Sequence, residues 1–288
     1  MIAAPRASVL TYPRDDFENF AITYWSQRTE EQVKKSVASV LEGKLSQHVG
    51  RDRRFTNLAQ LIDGTELRAK PDIFHGARAT EVNTVIRQKL NDQIVPFQNS
   101  GLVAPNFFLK VKGANVSAVE AERQACFYGA FGARAIHALH SYEQDQPAFD
   151  RNAYSITATY SRGLLELYAT HMASSGRDPS VPEYVMTRLG EWAIHGSMES
   201  FQEGLTAYRN ARDWAKEKRD QAVTAANQRQ PAPKPAPSRA NSVRKPSQSE
   251  AKSNARTNRS NSRNELRSTK SDLRKNGKGN SKYNVQTN

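Results

Sequence analysis

Residues 70–74 read Lys-Pro-Asp-Ile-Phe, and residues 106–112 read Asn-Phe-Phe-Leu-Lys-Val-Lys. Both segments are short and apolar, which predicts two buried strands. Asp72 stands near the start of the first strand, and Lys110 and Lys112 stand at the end of the second. Because side chains alternate along a strand, the two lysines share one face. The sequence therefore predicts that one carboxylate and two ammonium groups meet in a single small site.

Hydrophobic periodicity divides the rest of the domain into predicted helices and strands. Thr29 and Gln32 fit a capping box at the start of the first helix. The predicted helices cover residues 29–43, 55–62, 80–92, 117–139, 183–194 and 198–227. The predicted strands cover residues 70–75, 93–97, 106–112, 153–160 and 164–169, and the last two form a hairpin. Strands separated by helices indicate an α/β fold with a small mixed sheet flanked by helices.

Charge and aromatic content divide the chain into three parts. Residues 229–288 contain 15 Lys and Arg against 3 Asp and Glu, whereas residues 1–228 contain 27 against 26. The tail of 229–288 cannot bury enough apolar surface to fold, so we predict that it is disordered and basic. Residues 1–28 are predicted to be an irregular, aromatic-rich segment that packs on the domain. The domain itself is assigned to residues 29–228.

The tail and the cysteine content indicate which binding partners and which cellular compartment to expect. A flexible cationic arm suits nucleic acid, because each neutralised phosphate releases counterions; a solubilising tail or a nuclear-import address explains the same composition. Cys126 is the single cysteine, which excludes an internal disulfide and fits a reducing compartment. The chain shows no signal-peptide pattern and no run near the ~20 apolar residues of a membrane span. We predict an intracellular protein without membrane association, nuclear rather than cytoplasmic.

The two opening segments and the helix after them resemble the PD-(D/E)xK nuclease superfamily, and more closely a fungal branch of it. The resemblance covers residues 71–160 and consists of Pro71-Asp72, the strand that ends at Lys112, and the pair Gln124-x-x-x-Tyr128. That pair is similar to the Q-x-x-x-Y signature of RecB-type nucleases. The resemblance implies a restriction-endonuclease-like core and, as the ancestral reaction, Mg²⁺-dependent cleavage of phosphodiesters.

The chemistry of that reaction explains the residue types. A divalent cation neutralises the phosphate and lowers the pKa of a bound water, and Mg²⁺ prefers oxygen ligands such as carboxylates. The resemblance implies that Asp72 is a metal ligand and that Lys112 positions or activates the water. Gln124 and Tyr128 belong to the same implied catalytic group.

Lys110 departs from the family pattern, which has Glu or Asp at this position. The lysine removes one ligand and adds a positive charge, and like charges ~4 Å apart repel by about 4 kcal/mol at an effective dielectric near 20. We therefore predict a catalytically degenerate site that is better suited to phosphate than to Mg²⁺. Glu120, one helical turn before Gln124, is a possible replacement ligand. The simpler interpretation is a solvated glutamate in the first turns of a helix, where the macrodipole favours it.

Three functions are compatible with the sequence. The first is a nucleic-acid-binding protein of nuclease descent that does not cut, in which Lys110, Arg123 and Arg134 contact phosphates and DNA is favoured over RNA. The second is an active nuclease in which Asp72 and Glu120 hold Mg²⁺. The third is a non-enzymatic protein-interaction module whose tail contacts acidic partners. We favour the first, which requires no cofactor.

Overall fold

The computed structural model describes residues 12–26, 29–43, 48–61, 69–113, 118–145, 149–175 and 182–231. Within them, six strands form a single mixed sheet. The strands are β1 (Val49–Arg51), β2 (Ile73–Arg78), β3 (Leu102–Lys112), β4 (Ser155–Ser161), β5 (Leu164–Ser174) and β6 (Pro182–Ala193). They lie in chain order from β1 to β6. Neighbours are antiparallel except β3 and β4, which run parallel.

Helices connect and cover these strands. They are α1 (Arg14–Ser26), α2 (Glu30–Glu42), α3 (Thr84–Lys89), α4 (Asn91–Ile94), α5 (Ala118–Ser141) and α6 (Met198–Arg229), with a 3₁₀ turn at Ala79–Glu81. Helix α5 is the crossover that two parallel strands require. Helix α2 begins with the predicted capping box between Thr29 and Gln32. Among the helices of the described ranges, none is both long and apolar enough to span a membrane.

Strand β3 is the centre of the layered core. The Phe107 ring lies 5.1 Å from that of Tyr208 in α6, and the Phe108 ring lies 5.9 Å from that of Tyr128 in α5. Successive side chains of β3 thus contact helices on opposite sides of the sheet. This confirms the predicted α/β class with a mixed sheet flanked by helices.

Two glycines allow α5 to lie close to the sheet. A Cβ atom at Gly129 would be 2.2 Å from the Oγ1 atom of Thr170, and one at Gly132 would be 2.2 Å from the Oγ atom of Ser155. No larger residue fits at either position without displacing a strand side chain. The close approach brings the middle of α5 against β4 and β5.

Two predicted helices are wrong. Residues 183–194 were predicted helical, but 182–193 form the edge strand β6, which pairs with β5 along its whole length. Residues 55–61 contain no helix, and residue 62 lies outside the described residues. The first three backbone amides of this segment form hydrogen bonds with other parts of the chain. The Phe55 amide donates to the Ala69 carbonyl, and the next two amides donate to the Pro96 carbonyl. Tertiary pairing overrides the local pattern in both segments.

Other segments differ in detail. The predicted helix 80–92 is divided among the 3₁₀ turn, α3 and α4, and α4 includes the start of the predicted extended segment 93–97. Residues 14–26, predicted to be irregular, form α1. The α1 residue Phe20 is buried with its ring 5.6 Å from that of Phe201 in α6. Arg229 ends α6, and residues 232–288 of the predicted tail lie outside the described residues.

Candidate functional site

Asp72 is the buried acid at the entrance to β2. Its amide donates to the Leu109 carbonyl at 3.1 Å, which attaches this position to β3. Its Oδ2 atom accepts the Val111 amide at 2.8 Å, and the residue is 5% exposed. The predicted meeting of the two segments is therefore present, with the carboxylate turned towards the end of β3.

Two lysine ammonium groups hold this carboxylate. The Lys110 Nζ atom lies 3.1 Å from each oxygen of Asp72, and the Lys34 Nζ atom lies 3.0 Å from Oδ1. Both lysine side chains are mostly covered, at 9% and 19% exposure. With the Val111 amide, the carboxylate has three donors, two of them charged, and charge-assisted bonds of this kind are strong.

Helix α2 supplies part of the site that the sequence analysis missed. Lys34 also contacts the Oε1 atom of Glu30, at 3.1 Å, so one ammonium joins two acids. Burial alone would lower the pKa of Lys34, but hydrogen bonds to Asp72 and Glu30 outweigh burial and raise it. The i, i+4 spacing of Glu30 and Lys34 predicts a helix pair. Only the docking of α2 shows that the pair reaches Asp72.

Lys112 lies in the same group of charges but is held differently. It is 9% exposed and has no ion pair or side-chain hydrogen bond within the part of the chain that the structure describes. Burial and the neighbouring Lys110 ammonium lower the pKa of Lys112, while the charges of Glu30, Glu120 and Asp72 act in the opposite direction. Lys112 is thus the one member of the lysine group without a direct acidic partner among the described residues.

The first turns of α5 form the opposite side of the site. The Gln124 Nε2 atom donates to the Glu120 Oε1 atom at 2.6 Å. Tyr128 is 3% exposed, and burial and then the charge of Asp72 raise the pKa of its phenol. The Glu120 charge acts on Tyr128 and on Lys112. The structure therefore brings the predicted residues of α5 into one neighbourhood with the end of β3.

The two predicted phosphate-contacting arginines have different surroundings. Arg123 is exposed on α5. The guanidinium of Arg134 donates to the carbonyls of Ala59 and Gln60, at 2.8 and 3.2 Å, and lies over the Phe131 ring. Two N–H donors of Arg134 therefore bind the 59–60 segment, while its buried Nε atom has no hydrogen-bond partner among the described residues.

A cavity of 350 Å³ lies beside the Asp72 carboxylate, between α2 and the first two strands. Its charged lining residues are three cations, Lys34, Lys35 and Arg51, and three acids, Glu31, Asp52 and Asp72. Lys35 and Arg51 are exposed, and Asp72 is the buried member at the inner end. The arrangement is an open cleft that leads from exposed side chains of both charges to a buried acid.

Mg²⁺ does not fit these residues. The described residues contain no group of three His, Cys, Asp or Glu side chains placed to hold a metal ion. The buried acid of this site, Asp72, is already neutralised by Lys34 and Lys110, and a divalent cation in contact with it would face both ammonium groups. Repulsion between such charges ~4 Å apart is about 4 kcal/mol for each unit pair at an effective dielectric near 20.

Comparison with known proteins gives no assignment: no family model matches the chain, and no curated protein or solved structure shows a significant match. The relation to the nuclease superfamily stays a prediction that rests on the motif residues and their geometry.

Proposed function

We propose that this protein binds nucleic acid through the cleft beside Asp72 without cutting it, and that its domain is a nuclease-like core whose metal site has been replaced by lysines. The observation that carries the proposal is the Asp72 carboxylate, which is held by the Lys34 and Lys110 ammonium groups at 3.0 and 3.1 Å. Lysines supply fixed positive charge at the place where the ancestral reaction would require Mg²⁺. That positive charge attracts a phosphate and repels a metal ion.

Exposed arginines beside the cleft support the binding of a polyanion. Arg51, Arg53 and Arg54 are exposed on the edge strand β1 and the segment after it. This segment runs along the entrance to β2, because the Asp52 amide donates to the Asp72 carbonyl at 3.0 Å. A strand of nucleic acid lying along this edge would release counterions for each phosphate that these side chains neutralise.

The binding test compares one exposed arginine at each edge of the sheet. Arg51→Gln changes β1 beside the cleft, and Arg188→Gln changes β6 at the opposite edge. The affinity of the full chain for labelled single- and double-stranded DNA and RNA is measured over a series of salt concentrations. We expect Arg51→Gln to weaken binding and to reduce the slope of log K against log salt by about 1, while Arg188→Gln changes neither. Equal effects of the two substitutions would contradict a specific path along β1.

The basic tail requires its own comparison, because the tail could bind polyanions without any contribution from the domain. A chain that ends at Lys234 keeps the described part of the domain. If this chain still binds and is still sensitive to Arg51→Gln, the cleft contributes. Loss of all binding would make the tail the contact and would overturn the proposed role of the cleft.

The active-nuclease alternative has one supporting observation, the charge of Glu120 near Lys112. Plasmid nicking with Mg²⁺ or Mn²⁺ separates the two functions. We expect no nicking by the native chain; nicking that Asp72→Ala abolishes would establish the alternative.

A further inference from the structure

A second cavity adjoins the cleft beside Asp72 along α2. Its volume is 670 Å³, and one face each of α1, α2 and α6 surrounds it. The two cavities have Lys35, Ser39 and Gly43 in common, and all three residues are exposed. On a helix, positions 31, 34 and 38 lie to one side of the ridge formed by Lys35 and Ser39, and positions 32, 36 and 40 lie to the other. The two cavities therefore flank one exposed ridge, and a ligand that crosses the ridge can occupy both.

This α1–α2 groove has an apolar floor and polar walls. The floor is formed by buried side chains, namely Phe20, Phe201 and Leu205. The walls carry amide and hydroxyl groups, of which Asn19 and Ser36 make no side-chain hydrogen bond with any described residue. A nucleobase has the same division, because its faces stack on apolar groups and its edge forms hydrogen bonds. The volume lies within the range of about 300–1,000 Å³ that is typical of sites for small organic ligands.

The groove also carries fixed positive charge and an unpaired hydroxyl. Its charged lining residues are two cations, Lys35 and Arg209, and one acid, Asp16. Arg209 donates from Nε and Nη2 to two carbonyls in the last turn of α2, at 3.0 and 2.9 Å, and these bonds hold the guanidinium in place. The guanidinium lies 4.9 Å from the centre of the Tyr12 ring, and the buried Tyr12 hydroxyl has no hydrogen-bond partner among the described residues. An anionic oxygen in the groove would gain from the cation and could accept the hydroxyl.

We propose that the α1–α2 groove holds one unpaired nucleotide of a nucleic-acid strand whose neighbouring phosphates lie in the cleft beside Asp72. The inference rests on the proposed function, because the strand reaches the groove by crossing the ridge of α2 from that cleft. The base lies over the apolar floor with its edge towards Asn19 and Ser36. Lys35, which lines both cavities, contacts the phosphate at the ridge. The protein therefore binds a single strand in preference to a duplex, whose paired bases would first have to leave the stack.

Two single strands and one hairpin test the base pocket on the full chain. The first probe is a short DNA strand of mixed sequence, the second has the same number of phosphates but tetrahydrofuran spacers in place of the nucleosides, and the third is a blunt DNA hairpin. We expect the strand with bases to bind at least about fivefold more tightly than the strand without them, which is the lower limit for the contacts of one base. Equal affinity for the two strands would overturn the base pocket, and the proposed function would still stand if Arg51→Gln weakened the binding of both.

Ser36→Phe fills the groove without a change of charge. Ser36 is half-buried in the wall of the groove and does not line the cleft beside Asp72. We expect the variant to bind the strand with bases no more tightly than the strand without them, and to bind the spacer strand and the hairpin as the native chain does. Thr224→Phe adds a ring at an exposed position of α6 outside the groove and should alter none of the three affinities. Unchanged binding of the strand with bases by Ser36→Phe would overturn the inference.

Asn19→Ala tests the same groove without added bulk. Asn19 is exposed, so the substitution leaves the packing of α1 intact, and urea unfolding checks the fold of this variant and of Ser36→Phe. We expect about a threefold loss of affinity for the strand with bases and none for the spacer strand, because one hydrogen bond to the base is removed. Gln221→Ala removes an exposed amide of α6 and is the control. An equal loss for the two strands would show a general effect on binding and would overturn the contact with a base.

Calorimetry with free nucleoside monophosphates separates two sources of the same ligand. We expect the native chain to bind them more weakly than the strand with bases, because only a strand adds the phosphate contacts of the cleft. Equal or tighter binding of a free nucleotide, blocked by Ser36→Phe, would make the groove a nucleotide site and would overturn the strand. Failure of every strand and of the hairpin to bind would overturn the proposed function and, with it, the inference.

Discussion

Two buried carboxylates, Glu42 and Asp72, lie near opposite ends of α2 and have opposite surroundings. Glu42 is 2% exposed and accepts the Tyr208 hydroxyl at 2.5 Å and the His75 Nε2 atom at 3.1 Å. Its other oxygen lies 3.6 Å from the Arg212 guanidinium. Asp72 is held instead by two lysines and opens onto the 350 Å³ cleft.

The difference shows that burial of an acid does not by itself mark a functional site. The partners of Glu42 are fully or mostly buried side chains of β2 and α6, so the group is closed and its bonds serve the packing of α2. One partner of Asp72, Lys34, lies in the wall of the cleft, and Asp72 lines the same cleft. An acid held by lysines at the inner end of a cleft is the arrangement that a competing anion can enter.

The largest expected effect is the loss of stability in Glu42→Ala. Removing the acid leaves the Tyr208 hydroxyl and the His75 ring without their partner in the core, and breaking a buried pair of this kind costs about 3–5 kcal/mol. The free energy of unfolding is measured in urea. Glu31→Ala, an exposed glutamate on the same helix, is the control and should change stability by about 0.5 kcal/mol or less. Similar losses in the two variants would show that the hydrogen bonds of Glu42 contribute no more to stability than an exposed glutamate does.

Asp72→Asn tests the other half of the comparison. The asparagine oxygen still accepts the Val111 amide, and Lys34 can turn towards the water of the cleft, so we expect a smaller loss of about 1–3 kcal/mol. Asp52→Asn, at an exposed position on the neighbouring segment, is the control for loss of one negative charge. A loss as large as that of Glu42→Ala would mean that the Asp72 group is as closed as the Glu42 group.

The strands and the first helix turns of this site were predictable from local pattern. Alternation along residues 106–112 placed Lys110 and Lys112 on one face, and helical spacing placed Glu120, Gln124 and Tyr128 together. These are properties of a single strand or helix, and the docking of Asp72 onto Val111 follows from the pairing of two adjacent strands.

The contribution of α2 and the nature of β6 were not predictable in the same way. Lys34 reaches Asp72 only because α2 packs across the entrance to β2, which is a tertiary contact between positions 38 residues apart. In β6, half-buried and exposed residues alternate with a period of two, except at residues 187–189, which are all exposed. The β-branched residues Val185 and Thr187 favour a strand, and they were the signal in the sequence that a helical interpretation overlooked.

Lys110→Glu is expected to convert the Asp72 site towards a metal site. The substitution removes the ammonium that lies 3.1 Å from both oxygens of Asp72 and adds a second carboxylate. We expect calorimetry to show at least about a tenfold gain in affinity for Mg²⁺ or Mn²⁺, equivalent to ~1.4 kcal/mol. Lys70→Glu makes the same change of charge at an exposed neighbour of Pro71 and is the control. An equal gain in both variants, or none in Lys110→Glu, would count against the placement of the ancestral metal site at Asp72.

The smallest expected effect is a decrease in the free energy of unfolding at acidic pH, which is caused by protonation of His75 and Glu42. Burial lowers the pKa of His75 from its ordinary 6.5; burial would raise that of Glu42, but hydrogen bonds from His75 and Tyr208 outweigh burial and lower it from 4.5. In both cases the unfolded chain takes up protons at a higher pH than the folded chain. Stability is therefore fully present above about pH 6.5 and falls as the pH decreases, with Glu42 adding to the loss below about pH 4.5.

Urea unfolding at a series of pH values, with His75→Gln as the variant, separates this group from other histidines. His137 and His140 also have lowered pKa values because of burial, and they contribute in the same direction. If the closed network dominates, His75→Gln flattens the decline between about pH 6.5 and pH 5. If the decline is unchanged in the variant, the histidines of α5 carry it. The Glu42 group would then differ from the Asp72 group in packing alone and not in its response to protons.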